Sequence, residues 1–218
     1  NGNTSVTGNV GIGTASPTAK LEIHDGNNKA LIGDINSNST MSLRMSDNIA
    51  QPVEVQAYSN SLKLRTTPNG GSITDRMIID ANGYVTKPYQ PSFRAFLNAV
   101  VAGGNIVLWT DTFHNTGSHF STANGRFTAP VSGVYQINLH YLGDNVSTQC
   151  DVYIRVNGSP NAGARTRSVA GSGHETTSVC HAISLSAGDY VDVQNQGSSA
   201  FYGDTSLTWS EFSGYLIG

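Results

Sequence analysis

The chain has 218 residues, of which only 12% are charged, against a usual ~25%. Its formal net charge is −3, so the basic footprint of a nucleic-acid-binding protein is absent. No apolar run approaches the ~20 residues of a membrane-spanning helix, and the abundance of Gly, Ser, Thr and Asn favours short strands joined by tight turns.

From the N-terminus, short apolar alternations recur: Val10/Ile12, Leu21/Ile23, Met41/Leu43/Met45, Val53/Val55, Leu62/Leu64 and Ile78/Val85. Clusters of Gly, Asn, Asp or Ser separate them, which is strand-and-turn punctuation. "DANG" (80–83) reads as a turn between "RMII" and "YVT". Only two aromatics, Tyr58 and Tyr84, fall in residues 1–87; the other sixteen lie beyond. All four lysines (Lys20, Lys29, Lys63, Lys87) lie on the near side of that boundary. "KPYQP" (87–91) straddles it as a stiff extended connector. The chain therefore divides into 1–87 and 88–218. Short strands without large side chains gain little burial, at ~25 cal/mol per Å², against ~1–2 kcal/mol of ordering entropy per residue. Residues 1–87 are thus expected to bury their apolar side chains against copies of themselves, as a trimeric β shaft or prism.

The second part alternates strongly: Phe93/Phe96, Ile106–Trp109, Phe127, Val134–Leu142, Val152/Ile154/Val156, Val179–Leu185, Tyr190–Val193 and Leu207–Ile217. Turn signals intervene, among them "NTGS", "APVSG", "VNGSPN", "SAGD" and "NQGSS". Eight to ten strands in about 130 residues imply an all-β sandwich or jelly roll. Cys150 and Cys180 lack metal or redox spacing. They read as two buried thiols, with a disulfide between neighbouring strands as the alternative.

"GRFTAPVSGVY" (125–135) resembles the C1q/TNF-like jelly-roll domain. Asn115, Phe120, Phe127, Gly133 and Tyr135 stand at the family spacings. "PSFRAFLNA" (91–99) resembles its opening strand, "LSAGDYVDV" (185–193) its penultimate strand, and "FSGYLIG" (212–218), with Tyr215, its closing strand. Trp109 stands where the family usually has Phe, and Ile137 and Leu139 where it prefers aromatics; all three remain large and apolar. The resemblance covers residues 89–218 and implies a homotrimer. "GNVGIGTASPTAKLEI" (8–23) and "IDANGYVTKP" (79–88) resemble segments of bacteriophage tail fibres. No collagen-type Gly-X-Y tract is present. Together these resemblances imply part of a virion fibre from phage tail or capsid. The expected partners are upstream fibre and virion proteins and a host cell-surface glycan or protein, with no nucleic acid and no membrane insertion. The chain starts at Asn1 rather than Met, which suggests a fragment or mature form.

Signals for chemistry are thin. Gly11-x-Gly13 is followed by Ser16 and no helical pattern, so it fails as a dinucleotide fingerprint. "HETTS" (174–178) places Ser178 where a zinc-protease motif needs histidine. Asp189 and Asp192 read as solvated turn and strand residues. The Asn-X-Ser/Thr matches at Asn3, Asn38 and Asn145 are expected by chance in so polar a chain. No catalytic residue and no cofactor are assigned. Candidates for a metal are a calcium ion near Asp144 and Asp204, implied by the resemblance, or an axial ion on a histidine that a three-fold axis would triplicate.

Alternating turns of a jelly roll divide between two poles. Counting outward from the connector places 111–119, 143–149, 170–176 and 197–205 at the distal pole. The receptor-binding set is therefore His114, Asp144, Asn145, His174, Glu175, Phe201, Tyr202 and Asp204, because loops on rigid scaffolds carry recognition. An alternative packs Phe201 and Tyr202 into the trimer interface. Rival roles for the whole chain are a structural virion decoration or trimerisation module, or a polysaccharide depolymerase.

Overall fold

The computed structural model describes residues 6–24, 29–34, 41–46, 51–69, 71–144, 150–168 and 173–218. It is all-β, with no helix among the described residues. Two compact units meet between Tyr89 and Gln90.

The N-terminal unit is one eight-stranded sheet in sequential order. Its strands are β1 (Val10–Ile12), β2 (Leu21–His24), β3 (Lys29–Asp34), β4 (Met41–Ser46), β5 (Val53–Tyr58), β6 (Ser61–Thr66), β7 (Thr74–Ile79) and β8 (Val85–Thr86). β1 pairs with β2 in parallel, and every later pair is antiparallel. The β5–β6 hairpin turns on Ser59 and Asn60, both with positive φ (49° and 57°). That is the primed turn whose twist matches the flanking strands. The β7–β8 turn is built by Asp80, whose carboxylate accepts the N–H groups of Asn82 and Tyr84, each at 2.9 Å. Gly83 supplies the positive φ that this turn needs.

The C-terminal unit is a two-sheet sandwich. Its strands are β9 (Ser92–Phe96), β10 (Asp111–Thr116), β11 (Phe120–Ser121), β12 (Arg126–Thr128), β13 (Gly133–Asp144) and β14 (Cys150–Val156). They continue with β15 (Ser159–Ser168), β16 (Glu175–Leu185), β17 (Tyr190–Asn195), β18 (Ala200–Phe201) and β19 (Glu211–Leu216). One sheet runs β10-β9-β19-β13-β16 with β18 attached to β13; the other runs β11-β12-β17-β14-β15. Interleaved connections between the two sheets make this a jelly roll.

Alternate side chains of both sheets meet in one core. Phe93 stacks on Phe120 and Phe127 at 4.8 Å, and Trp109 lies against Phe212 at 5.7 Å. Ile137 and Leu139 are fully buried beside them. The family markers now have physical reasons. The Asn115 amide brackets the Phe120 backbone, donating to its carbonyl at 2.8 Å and accepting its N–H at 3.0 Å. The Tyr135 hydroxyl donates to the Val131 carbonyl at 2.8 Å, and burial pushes its phenol pKa up. A Cβ on Gly133 would lie 2.7 Å from the Leu216 side chain and 3.0 Å from the Gly218 carbonyl. Tyr215 differs from the other markers: it is exposed on the outer face of the β13-containing sheet.

Four expectations are corrected. Asp192 is fully buried rather than solvated, because Arg155 clamps it with two hydrogen bonds of 2.8 and 2.9 Å and Arg126 covers it. Cys150 is buried in one sheet and Cys180 exposed on the other, so they are neither two buried thiols nor a disulfide. Residues 207–210 are an irregular loop rather than strand, with Leu207 exposed and the closing strand starting at Glu211. Finally, the turn after β10 lies at the connector pole. Thr116 pairs with Ser92, and the His119 carbonyl accepts the Thr128 N–H.

Candidate functional site

The strand directions place Gly143–Asp144, Glu175, Asn195 and Glu211 at the pole opposite Ser92 and Gly133. Here the loops are pinned by backbone. The Tyr202 N–H donates to the Leu142 carbonyl at 2.8 Å. The buried Ser210 hydroxyl accepts the Leu142 N–H at 3.1 Å and donates to the Tyr202 carbonyl at 2.8 Å. Gly203 passes so close that a Cβ would lie 2.3 Å from the Ala99 carbonyl oxygen. The Asn195 amide donates to the Ser199 carbonyl at 2.7 Å and accepts the Gly197 N–H at 3.0 Å, fixing the neighbouring loop.

On this frame five side chains converge. His174 Nδ1 is 3.6 Å from Asp144 Oδ1. The His174 ring meets Tyr202 edge-on, centroids 5.3 Å apart, and Tyr202 meets Trp209 edge-on at 6.4 Å. The Tyr202 hydroxyl is 3.5 Å from Asp204 Oδ2. Asp204 is held by the loop itself: the Ser206 hydroxyl donates to its carboxylate, and the Ser206 N–H donates at 2.6 Å. These donors keep its carboxyl below the usual carboxylate pKa. The result is a half-exposed aromatic surface flanked by two carboxylates and an imidazole. The segment bridged to Phe201 through Val101 lines a separate open groove of about 600 Å³, with Val100, Val101, Ala102, Asn105, Ile106 and Leu108. Aromatic faces bordered by fixed polar acceptors suit a polyhydroxylated ligand, since rings stack on C–H faces while carboxylates accept hydroxyl protons.

The expected residues divide. Asp144, His174, Tyr202 and Asp204 come together. Glu175 begins β16 opposite Gly143, next to them. Phe201 is fully buried, stacked on Tyr141 at 4.4 Å, so it belongs to the core and offers nothing to a ligand or a partner chain. His114 lies in β10 opposite Arg94, following a bulge, and is remote in register from the loop set. Asn145 lies outside the described residues. Trp209 was missed: the apolar spacing Leu207-x-Trp209 reads as strand, and only the Ser-rich flanks 205–213 hinted at a loop.

No group of three or more His, Cys, Asp or Glu suited to a metal occurs among the described residues. Asp204 spends its oxygens on Ser206 and Tyr202, and Asp144 faces His174. A Ser–His contact does exist: His140 Nδ1 lies 2.7 Å from the Ser178 hydroxyl. Both residues sit side by side on β13 and β16, on an exposed sheet face.

Comparison with known proteins agrees with the sandwich. The C1q domain model matches residues 92–217. The mouse and human complement C1q tumor necrosis factor-related protein 3 are each 32% identical over 130 residues. Those matches cover 59% of this chain and 51% of each relative, so the chain spans about half the length of the curated relatives it matches. The globular domain of zebrafish complement 1qA superimposes with a TM-score of 0.50 at 18% identity, covering 59% of this chain and 98% of that one. Its likeness is one of fold. The jelly-roll half of this chain, from its Phe93 core to its closing strand, makes the protein a member of the C1q domain family.

Proposed function

We propose that this chain is a homotrimeric adhesion module whose C1q-type head binds a cell-surface glycan, without catalysis, through the Asp144–His174–Tyr202–Trp209 cluster. The carrying observation is that cluster together with Asp204: two aromatics, an imidazole and two carboxylates at one loop pole, with Asp144 beside His174 and Asp204 held by Ser206. Exposed apolar side chains on the outer face of the β13 sheet support the trimer. Phe113 covers Phe96 at 4.5 Å, Arg94 bridges Phe113 and Glu211, and Tyr215 stands free beside them. Family membership points the same way, and the module's proposed place of action is extracellular. Three shallow sites on one tip compensate for modest affinity at each.

The placement on a phage fibre rests on the fibre-like segments 8–23 and 79–88; the curated relatives named above are mammalian. Mass spectrometry of purified phage particles tests it. Recovery of the protein only from cellular secretions would move the module to a cellular adhesin.

The binding experiment is a glycan array probed with the purified chain, alongside light scattering for mass. Trimer mass and selective glycan signal are expected, with the signal lost in Tyr202→Ala and Trp209→Ala. Trimer mass with no binding to glycans or to candidate host cells would leave the structural-module reading instead. Shortening of a bound polysaccharide during incubation would make the protein a depolymerase.

A further inference from the structure

The N-terminal sheet is inside out for a single chain. Directly opposed residues of paired strands share a face. Following the register across the sheet collects Val10, Ile12, Leu21, Ile23, Ile32, Met41, Leu43, Met45, Val53, Val55, Leu62, Leu64, Met77, Ile79 and Val85 on one side. Met41 is 65% exposed, Ile12 55% and Met45 44%. The opposite side carries Glu22, Ser42, Arg44, Glu54, Gln56, Lys63, Arg65 and Asp75. Glu22, Ser42, Glu54 and Gln56 there are nearly inaccessible to solvent.

That polar side is largely paired within the chain, with Ser42 Oγ and Arg44 Nε left unpartnered. Arg65 bonds Glu54 at 2.9 Å and Asp75 at 2.7 Å, Lys63 bonds Asp75 at 2.9 Å, and Arg44 lies 3.6 Å from Glu54. The apolar side is not. Eleven of its fifteen residues are more than a third exposed, together on the order of the ~800 Å² that one partner gives up in an ordinary stable interface and larger than the patches monomers tolerate. The fifteen residues collected on this face are all apolar, and Arg76 reaches its margin by donating to the Thr66 hydroxyl at 2.7 Å. A face dominated by branched side chains and methionines complements another such face.

We infer that this apolar face packs against the same face of other copies of the chain, forming a dry shaft core with the Arg44–Glu54–Arg65–Asp75–Lys63 ladder on the opposite side of each sheet. The occupant is a second copy because the inference rests on the trimeric head proposed above. A head trimer tethers three such faces through continuous chain, at an effective concentration reaching the millimolar range.

The methionines report on this directly, because all three in the chain, Met41, Met45 and Met77, lie on that face. The full chain is treated with hydrogen peroxide, and sulfoxide at each methionine is followed by mass spectrometry. Met41 and Met45 are expected to oxidise at least tenfold more slowly than in the protease-digested peptide. In a Cys180→Ser background, Leu43→Cys is expected to form disulfide-linked pairs of chains under mild oxidant. Peptide-like oxidation of Met41 and Met45 in a protein of trimer mass overturns the shaft core while leaving the head trimer standing. Monomer mass removes both. Protected methionines without cross-linking, and with oxidation unchanged by Val55→Lys, would mean a different occupant and would also overturn it. Val55→Lys on the same face, expected to restore fast oxidation at unchanged trimer mass, guards against a cross-link that fails for local geometry.

Discussion

Asp192 shows what a single side chain contributes here. It alternates with Val191 and Val193, both fully buried, and so points to the outside of its sheet. There it is enclosed by Arg155 on β14 and Arg126 on β12, and the Arg126 guanidinium also lies 4.0 Å from the Tyr190 ring. Removing one partner of an enclosed pair leaves the other charge uncompensated, at a cost of about 3–5 kcal/mol. The half-exposed Arg126 makes the lower end apt, so Asp192→Ala should lose about 3 kcal/mol of head stability in denaturant melts. A loss below about 1 kcal/mol would show that the pair is as weak as a surface bridge. Tyr135→Phe should lose less, about 1 kcal/mol, because one neutral hydrogen bond to Val131 disappears and the ring stays packed. Tyr135 was legible in sequence through its Gly-x-Tyr spacing. Asp192 was not: its partners stand 37 and 66 residues away, and no local pattern marks a charge that a distant arginine will cover.

At the scale of elements, the turns were the most legible features, because their chemistry is local. "DANG" became an Asp80-capped turn, and Asn157-Gly158 turns β14 into β15 with both φ positive (51° and 77°). The β10 loop failed for the complementary reason. Pole assignment by counting assumes each alternation is one strand crossing the domain, and the β9–β10 connection instead spans residues 97–110 with only isolated bridges at Val101 and Ile106. One extra crossing moves His114 away from the loop set. Element pairing also sets a pH response in the N-terminal sheet. Burial raises the Asp75 pKa, but hydrogen bonds and charge from Lys63 and Arg65 outweigh it, and the carboxyl ends below its usual value. A carboxyl lowered in the folded state adds stability above its unfolded pKa, ~3.9, and that stability disappears as pH falls through the folded value. Melting of the N-terminal unit followed from pH 6 to pH 2 should therefore fall below about pH 4. Asp75→Asn should be less stable at pH 6 and show a shallower acid decline; an unchanged decline would remove Asp75 from the response.

For the whole molecule, avidity is the property that links assembly to recognition. The site at Tyr202 and Trp209 is a surface rather than an enclosed pocket, and Trp209 is 37% exposed. On the function proposed above, one such site would hold a glycan weakly, and three on a trimer tip would bind a dense surface through linked, intramolecular steps. Each step carries the same per-site factor. If Trp209→Ala weakens one site tenfold, binding to a sparse surface, where a single site engages, should fall about tenfold. On a dense surface, where all three engage, it should fall toward a thousandfold, since the factor enters once per site. Biosensor titrations over a series of glycan densities measure both limits with the same two proteins. Equal losses at low and high density would mean that the sites do not act together, either because the head is not trimeric or because its three sites cannot reach one surface. Light scattering on the same sample separates those two explanations.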